Sequence, residues 1–309
     1  SSPIFSKGHR SVEIMGGVGS IEPEFKANEW PKVFATSPIL PQSAYIIFRG
    51  LWALIFLVHL FWHAYIYLGI QGEGWYYIMY QSRQALLLQT FAMVQQFIGA
   101  LVGLPKLKTN VTGKEPLWVR VAVVVDVIAQ PQAFGITYVY WGFMGVMPES
   151  AWDSIEMKPV ADYLDVFIHG INWVLLFVSF IFSKIPMNCL SLIPGLIWGL
   201  LYIIWTYVHY LLRLGTPNGC DEYPPELCPL YSAFDWNRPR EALLFAFLAY
   251  FVTSPINIGV YMAIRSCTKR IFPEERQEES LVEERGKLME VMQPAEPEPQ
   301  KNCCFGCGR

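Results

Sequence analysis

Six stretches of this chain are long enough and apolar enough to cross a lipid bilayer, and that constrains its fold more than any motif does. They run roughly over 44–70, 75–104, 117–147, 160–183, 189–214 and 240–267. A bilayer core about 30 Å thick needs about 20 helical residues, a length that all six reach. Lipid offers no hydrogen-bonding partners, so each segment must satisfy its own backbone, and helices are the default solution. Composition agrees: 16% of the residues are charged and 53% hydrophobic, whereas a soluble domain carries about 25% charged residues. Aromatic residues crowd several segment ends, as in "WYY" at 75–77 and "YVYWGF" at 138–143, where interfacial belts form. The expectation is an all-α integral membrane protein with a six-helix transmembrane domain over 44–267. An irregular arm (1–43) precedes it, and a charged helix and Cys-rich tail (268–309) follow. The net charge of −3 argues against a nucleic-acid partner, and no cleavable signal peptide is expected.

Basic residues set the orientation. Lys7, Arg10, Lys26 and Lys32 lie in the arm, Lys106, Lys108 and Lys114 in the second loop, Lys184 in the fourth, and Lys269 and Arg270 at the exit. The opposite loops hold few, so both termini are expected in the cytoplasm or its organellar equivalent. Cys220 and Cys228 then fall in a non-cytoplasmic loop, where an oxidising lumen permits a disulfide. The sequon at Asn110 falls on the cytoplasmic side and is expected unglycosylated. Cys303, Cys304 and Cys307 beside a membrane domain read as S-acylation candidates.

Ionisable groups inside a membrane cost about 2.5–3.5 kcal/mol each on insertion scales, which makes them functional candidates. Here they are His59, His63, Arg83, Asp126, Asp165, His169 and His209. Counting helical rise places Ser82 about 10 Å and His169 about 13 Å below the non-cytoplasmic face. The other histidines fall at similar levels, which implies a shared polar cavity under loop 214–239. Arg83 and Asp126 are expected to neutralise each other between the second and third helices. His59 and His63, spaced i,i+4, share a helix face and could ligate a metal or haem. Asp165 is expected at the solvated interface. His169 reads either as a base or as a core histidine.

"DVFIHGINWVLLFVSFIFSKIP" (165–186), "LIPGLIWGLLYIIWTYVHYL" (192–211), "PLYSAFDWNRPREAL" (229–243) and "TYVYWGF" (137–143) resemble the rolling stone family of six-helix membrane proteins. More distantly they resemble the androgen-induced fatty-ester hydrolases. The resemblance covers roughly residues 40–267. It implies a membrane-buried hydroxyl nucleophile and a histidine base acting on fatty-acid esters of hydroxy fatty acids, with His169 matching the histidine. Where such sequences read Thr-Asn-Trp, this chain reads Ser82-Arg83-Gln84, which keeps a hydroxyl and lacks the Asn-Trp pair.

Three functions remain open from the sequence. The first is a non-catalytic structural or adhesion component, or a subunit of a membrane complex held through arm and tail. The second is a lipid-ester hydrolase with Ser82 as nucleophile, His169 as base, Asn172 orienting the oxyanion and Arg83 holding a fatty carboxylate. The third is a b-haem or metal redox protein using His59, His63, His169 and His209. Membrane lipids are the expected small-molecule partners, and no cofactor is required by the first two.

Overall fold

The computed structural model describes residues 29–107, 114–144, 158–217 and 219–273. Asn110, Cys303, Cys304 and Cys307, with most of the arm and tail, lie outside the described residues. Among the described residues, six helices are long and apolar enough to cross a membrane: α2 (Gln42–Ile70), α3 (Gln81–Lys106), α4 (Leu117–Gly142), α5 (Pro159–Phe182), α6 (Cys189–Leu211) and α7 (Pro239–Ile271). A short helix, α1 (Trp30–Ala35), precedes them. The chain is a multi-pass integral membrane protein with an all-α, six-helix bundle. Large apolar side chains such as Leu51, Phe61, Leu200 and Leu244 stand exposed on the outside. This is the inside-out arrangement that lipid permits, because hydrocarbon is as apolar as leucine.

The ends of α2, α4 and α6 and the starts of α3, α5 and α7 meet at one side of the bundle, here called the disulfide end because loop 212–238 covers it. At the opposite, terminal end the arm is not irregular throughout. Trp30, Val33 and Phe34 of α1 are buried, and their helix lies on α3 at Gly99 and Gly103. A Cβ on Gly99 would collide with the Phe34 ring, and one on Gly103 would press on the Pro31 backbone. Two glycines one turn apart let helices approach closely. Trp118 of α4 completes the seat with an edge-on contact to Trp30 at 5.3 Å. Six residues are too few to show a helical period, which is why the sequence gives no sign of α1.

Several polar side chains in the interior are bonded to groups on other helices. Arg49 of α2 donates to the hydroxyls of Ser179 and Tyr45. Gln96 of α3 donates to Asp126 of α4. Arg265 of α7 donates to the carbonyls of Ser183, of Phe180 (3.3 Å) and of Ile185 (2.8 Å), and so caps the carbonyl end of α5, where orphan acceptors and the helix dipole favour a cation. Proline kinks are covered likewise. Asn257 donates to the Pro131 carbonyl at 3.2 Å and Tyr261 to that of Gln130 at 3.0 Å, in a stretch where the Pro131 ring removes a backbone donor.

Among the described residues, four π-helical segments interrupt the transmembrane helices: Tyr65–Ile70, Tyr140–Met144, Phe167–Ile171 and Leu248–Thr253. A π turn widens the helix and re-aims its side chains, and such turns concentrate at functional sites. Each of these four contributes a side chain to the cavity described below: Tyr67, Tyr140, His169 and Tyr250.

Replacing Gly99 by Leu is expected to expel α1 and to cost about 1–3 kcal/mol through overpacking. A cysteine placed at Val33 should resist maleimide in the parent and react readily in the Gly99→Leu variant.

Candidate functional site

The bundle encloses a cavity of about 230 Å³ whose walls come from α2 to α7 and from the loop before α7. Its disulfide end is polar. His63, Glu73, Ser82, Arg83, Asp165 and His169 all line it there.

Ser82 is placed by a break that the hydropathy pattern conceals. The second apolar stretch is not one helix from residue 75. Gly72 and Gly74 take positive φ (67° and 59°), Gly74–Met79 forms a separate 3₁₀ turn, and α3 starts at Gln81 after extended Tyr80. Ser82 is therefore the second residue of a helix rather than a point 10 Å inside one. The first amides of a helix lack intrahelical acceptors and carry its positive dipole end. Tyr231, from the loop before α7, hydrogen-bonds to the Ser82 hydroxyl and to the backbone of Gln81 and Ser82. Burial pushes the hydroxyls of Tyr231 and Tyr80 up and that of Tyr77 up to about 12, so all three stay protonated donors at neutral pH.

His169 sits in the π segment of α5, one turn beyond Asp165. Its Nδ1 lies 3.0 Å from the Asp165 carbonyl and 3.0 Å from Asp165 Oδ1. Both partners can only accept, so Nδ1 carries the proton and Nε2 keeps its lone pair. The Tyr140 ring stacks on the imidazole at 3.8 Å, the Tyr140 hydroxyl donates to Asp165 Oδ2, and the Trp141 indole donates to the His169 carbonyl at 2.9 Å. Asp165 is thus largely buried and engaged, where the sequence suggested a solvated interface. Among the described residues no hydrogen bond joins Ser82 to His169.

Other expected roles change. Arg83 does not pair with Asp126. It forms a two-pronged ion pair with Glu73 under the rings of Tyr67, Tyr80 and Tyr77 at 4.3, 4.6 and 5.1 Å. The nearest carboxylate on offer comes from the QGEG turn, because the 3₁₀ turn folds Glu73 back over the start of α3. Arg83 therefore already holds a carboxylate of its own chain. Asn172, expected beside the oxyanion, is buried away from the cavity. It donates to Gln89 at 2.8 Å and accepts from the Trp173 amide at 2.6 Å. One turn below His169 on a helix that includes a π segment, its side chain is rotated into the α3 interface.

His59 donates from Nδ1 to the Ile55 carbonyl (2.8 Å) and takes the Tyr163 hydroxyl on Nε2 (2.7 Å), so neither nitrogen is open to a metal. His63 meets the Tyr77 hydroxyl at 3.0 Å. No group of three His, Cys, Asp or Glu side chains suited to a metal occurs among the described residues. His209 is buried beneath the loop. Cys220 and Cys228 form a disulfide, and it closes the loop segment that leads to Tyr231. Glu73, Tyr140 and Tyr231 were not singled out in the sequence. Only the Gly-Glu-Gly turn beside a buried arginine gave a usable signal for the first. No protein family, characterised protein or solved structure matches this chain.

Removing one partner of the buried Arg83–Glu73 pair leaves an uncompensated charge, a loss of about 3–5 kcal/mol. Glu73→Gln should lower the unfolding midpoint in detergent strongly, and adding Arg83→Met should restore most of it. Additive losses in that double-mutant cycle would show that the pair is uncoupled.

Proposed function

We propose that this protein is an intramembrane hydrolase of lipid esters, with Ser82 as nucleophile and His169 as general base. The observation that carries the reading is that one cavity receives both the Ser82 hydroxyl at the start of α3 and the Asp165–His169 pair of α5. A hydroxyl nucleophile needs a neighbouring base held in the correct tautomer by a third group. Asp165 provides that third group by taking the Nδ1 proton. In the reaction, Ser82 Oγ attacks the ester carbonyl carbon while His169 Nε2 takes its proton. The ester C–O bond breaks and the alcohol leaves with that proton. Water, deprotonated by the same nitrogen, then cleaves the Ser82 acyl ester and regenerates the hydroxyl. Catalytic hydrogen bonds often close only with substrate in place, which accounts for Ser82 resting against Tyr231.

Negative charge grows on the carbonyl oxygen beside Ser82. The protonated Tyr231 hydroxyl, which rests against Ser82 and the first amides of α3, is the donor at hand, in the role the sequence suggested for Asn172. Removing one such donor costs about 10²–10³ in kcat. Arg83, occupied by Glu73, takes no part. The rolling stone and fatty-ester hydrolase resemblance agrees with this chemistry.

The second reading is a non-catalytic component of a membrane complex, and the missing Ser82–His169 hydrogen bond favours it. In both readings the termini face the cytoplasm, an orientation that the distribution of Lys and Arg supports and with which a Cys220–Cys228 disulfide on the oxidising side agrees.

Purified protein in lipid should hydrolyse long-chain fatty esters. Ser82→Ala and His169→Ala should each lower kcat by at least ~10³, and Asp165→Asn should lower it by ~10²–10⁴ with the cavity intact. Tyr231→Phe should lower kcat ~10²-fold and leave KM nearly unchanged. Full turnover in His169→Ala would abolish the hydrolase reading. In cells, Cys220 and Cys228 should resist maleimide until reduced, even after permeabilisation.

A further inference from the structure

Glycines in transmembrane helices let neighbouring groups come close, and two glycines at the cavity do this. A Cβ on Gly199 of α6 would fall inside the Tyr250 ring, and one on Gly135 of α4 would press on the Asn257 amide at 3.3 Å. Gly195 lies one turn from Gly199, on the same face of α6. It lines the cavity, yet a Cβ there would meet nothing within 4 Å. Glycine weakens a helix interior relative to alanine, and among the described residues no neighbour requires one here. Gly195 thus leaves a notch in the cavity wall that the protein does not fill.

Three helices locate the notch. The Tyr250 ring that covers Gly199 carries the hydroxyl that accepts from Gln81, beside Ser82, at 2.6 Å, so the wall at Gly199 adjoins the polar end. Gly195 lies about 6 Å deeper along α6. Past it the cavity continues to Leu192 of α6, Ile258 of α7 and Val127 of α4. Val127 and Ile258 belong to the buried core at the terminal end, and Leu192 packs against it. Along α4 that apolar floor is about 20 Å from Tyr140, which stacks on His169. Gly195 stands about one turn short of the floor, roughly 10–15 Å beyond the reacting groups. An extended acyl chain advances about 1.25 Å per bond, which brings roughly its eighth to twelfth carbon to the notch.

We infer that Gly195 sets the length of acyl chain that the cavity accepts: its missing side chain lets the segment beyond about the tenth carbon reach the floor. A bundle that crosses a bilayer meets its ligands in lipid, and a chain with a polar head matches a cavity that is polar at one end and apolar at the other. The solvent makes the selection steric. A methylene gains nothing on leaving lipid for an apolar wall, so hydrophobic gain cannot favour one chain length over another. A side chain in the path can reject a long chain, because it forces overpacking. The ester chemistry rests on the hydrolase reading; the chain-length selection does not.

The test uses full-length protein in lipid nanodiscs, labelled by a photoreactive hexanoyl amide. Non-cleavable methylamides of hexanoic and hexadecanoic acid compete with the label, and their potencies are compared at equal concentration in the lipid. Both should compete in the parent. In Gly195→Leu the hexadecanoyl amide should lose at least about tenfold relative to the hexanoyl amide, and Gly195→Ala should show a smaller loss. Gly259→Leu is the control, because Gly259 is an exposed α7 glycine whose Cβ would also meet nothing within 4 Å; its ratio should match the parent. Retained labelling by the hexanoyl probe shows that a variant is folded. If Gly195→Leu loses that labelling, Gly195→Ala and Gly195→Ser are read in its place. A parent that takes no label, a parental ratio in the Gly195 variants, or the same loss in Gly259→Leu overturns the inference. The expected shift in a protein that turns over neither hexanoyl nor hexadecanoyl esters would overturn the hydrolase reading and leave the chain-length selection standing.

Discussion

The whole bundle depends on one constraint: inside lipid, a polar group must find its partner within the protein. Arg49 with Ser179 and Tyr45, Gln96 with Asp126, Arg265 with the end of α5, and Arg83 with Glu73 are all answers to it. The Arg49–Ser179, Gln96–Asp126 and Arg265 bonds tie sequence-distant helices together. The apolar faces contribute shape and close packing, and they contribute less driving force than in water, since lipid competes equally for them.

Against that background, the groups left partly unused stand apart. His169 spends Nδ1 on Asp165 and keeps Nε2. Gln132, Asn257 and Trp198 retain buried polar atoms without partners. All of them border one cavity, and all four π turns aim a side chain into it.

The histidines show how far pattern reading reaches. Their common depth followed from helical rise, and His63 and His169 do share the cavity. His59 has the same spacing signal and is spent on Tyr163 and Ile55, because depth fixes the level of a residue and not the direction of its side chain. Asn172 failed for the same reason. Arg83 was matched to the wrong acid because the rival, Glu73, lies outside the apolar stretch and reaches Arg83 only through a two-glycine turn.

The sequence by itself determined the class of fold, the six spans and the scarcity of ionisable groups, because hydropathy and length are properties summed along the chain and lipid reads them segment by segment. Only the tertiary structure decided which scarce groups meet. The break at Tyr80 that turns Ser82 into a helix start, the π turn that sets His169 against Tyr140, and the seat of α1 on Gly99 each depend on contacts between residues far apart in sequence. A hydrophobicity profile carries no information about such contacts.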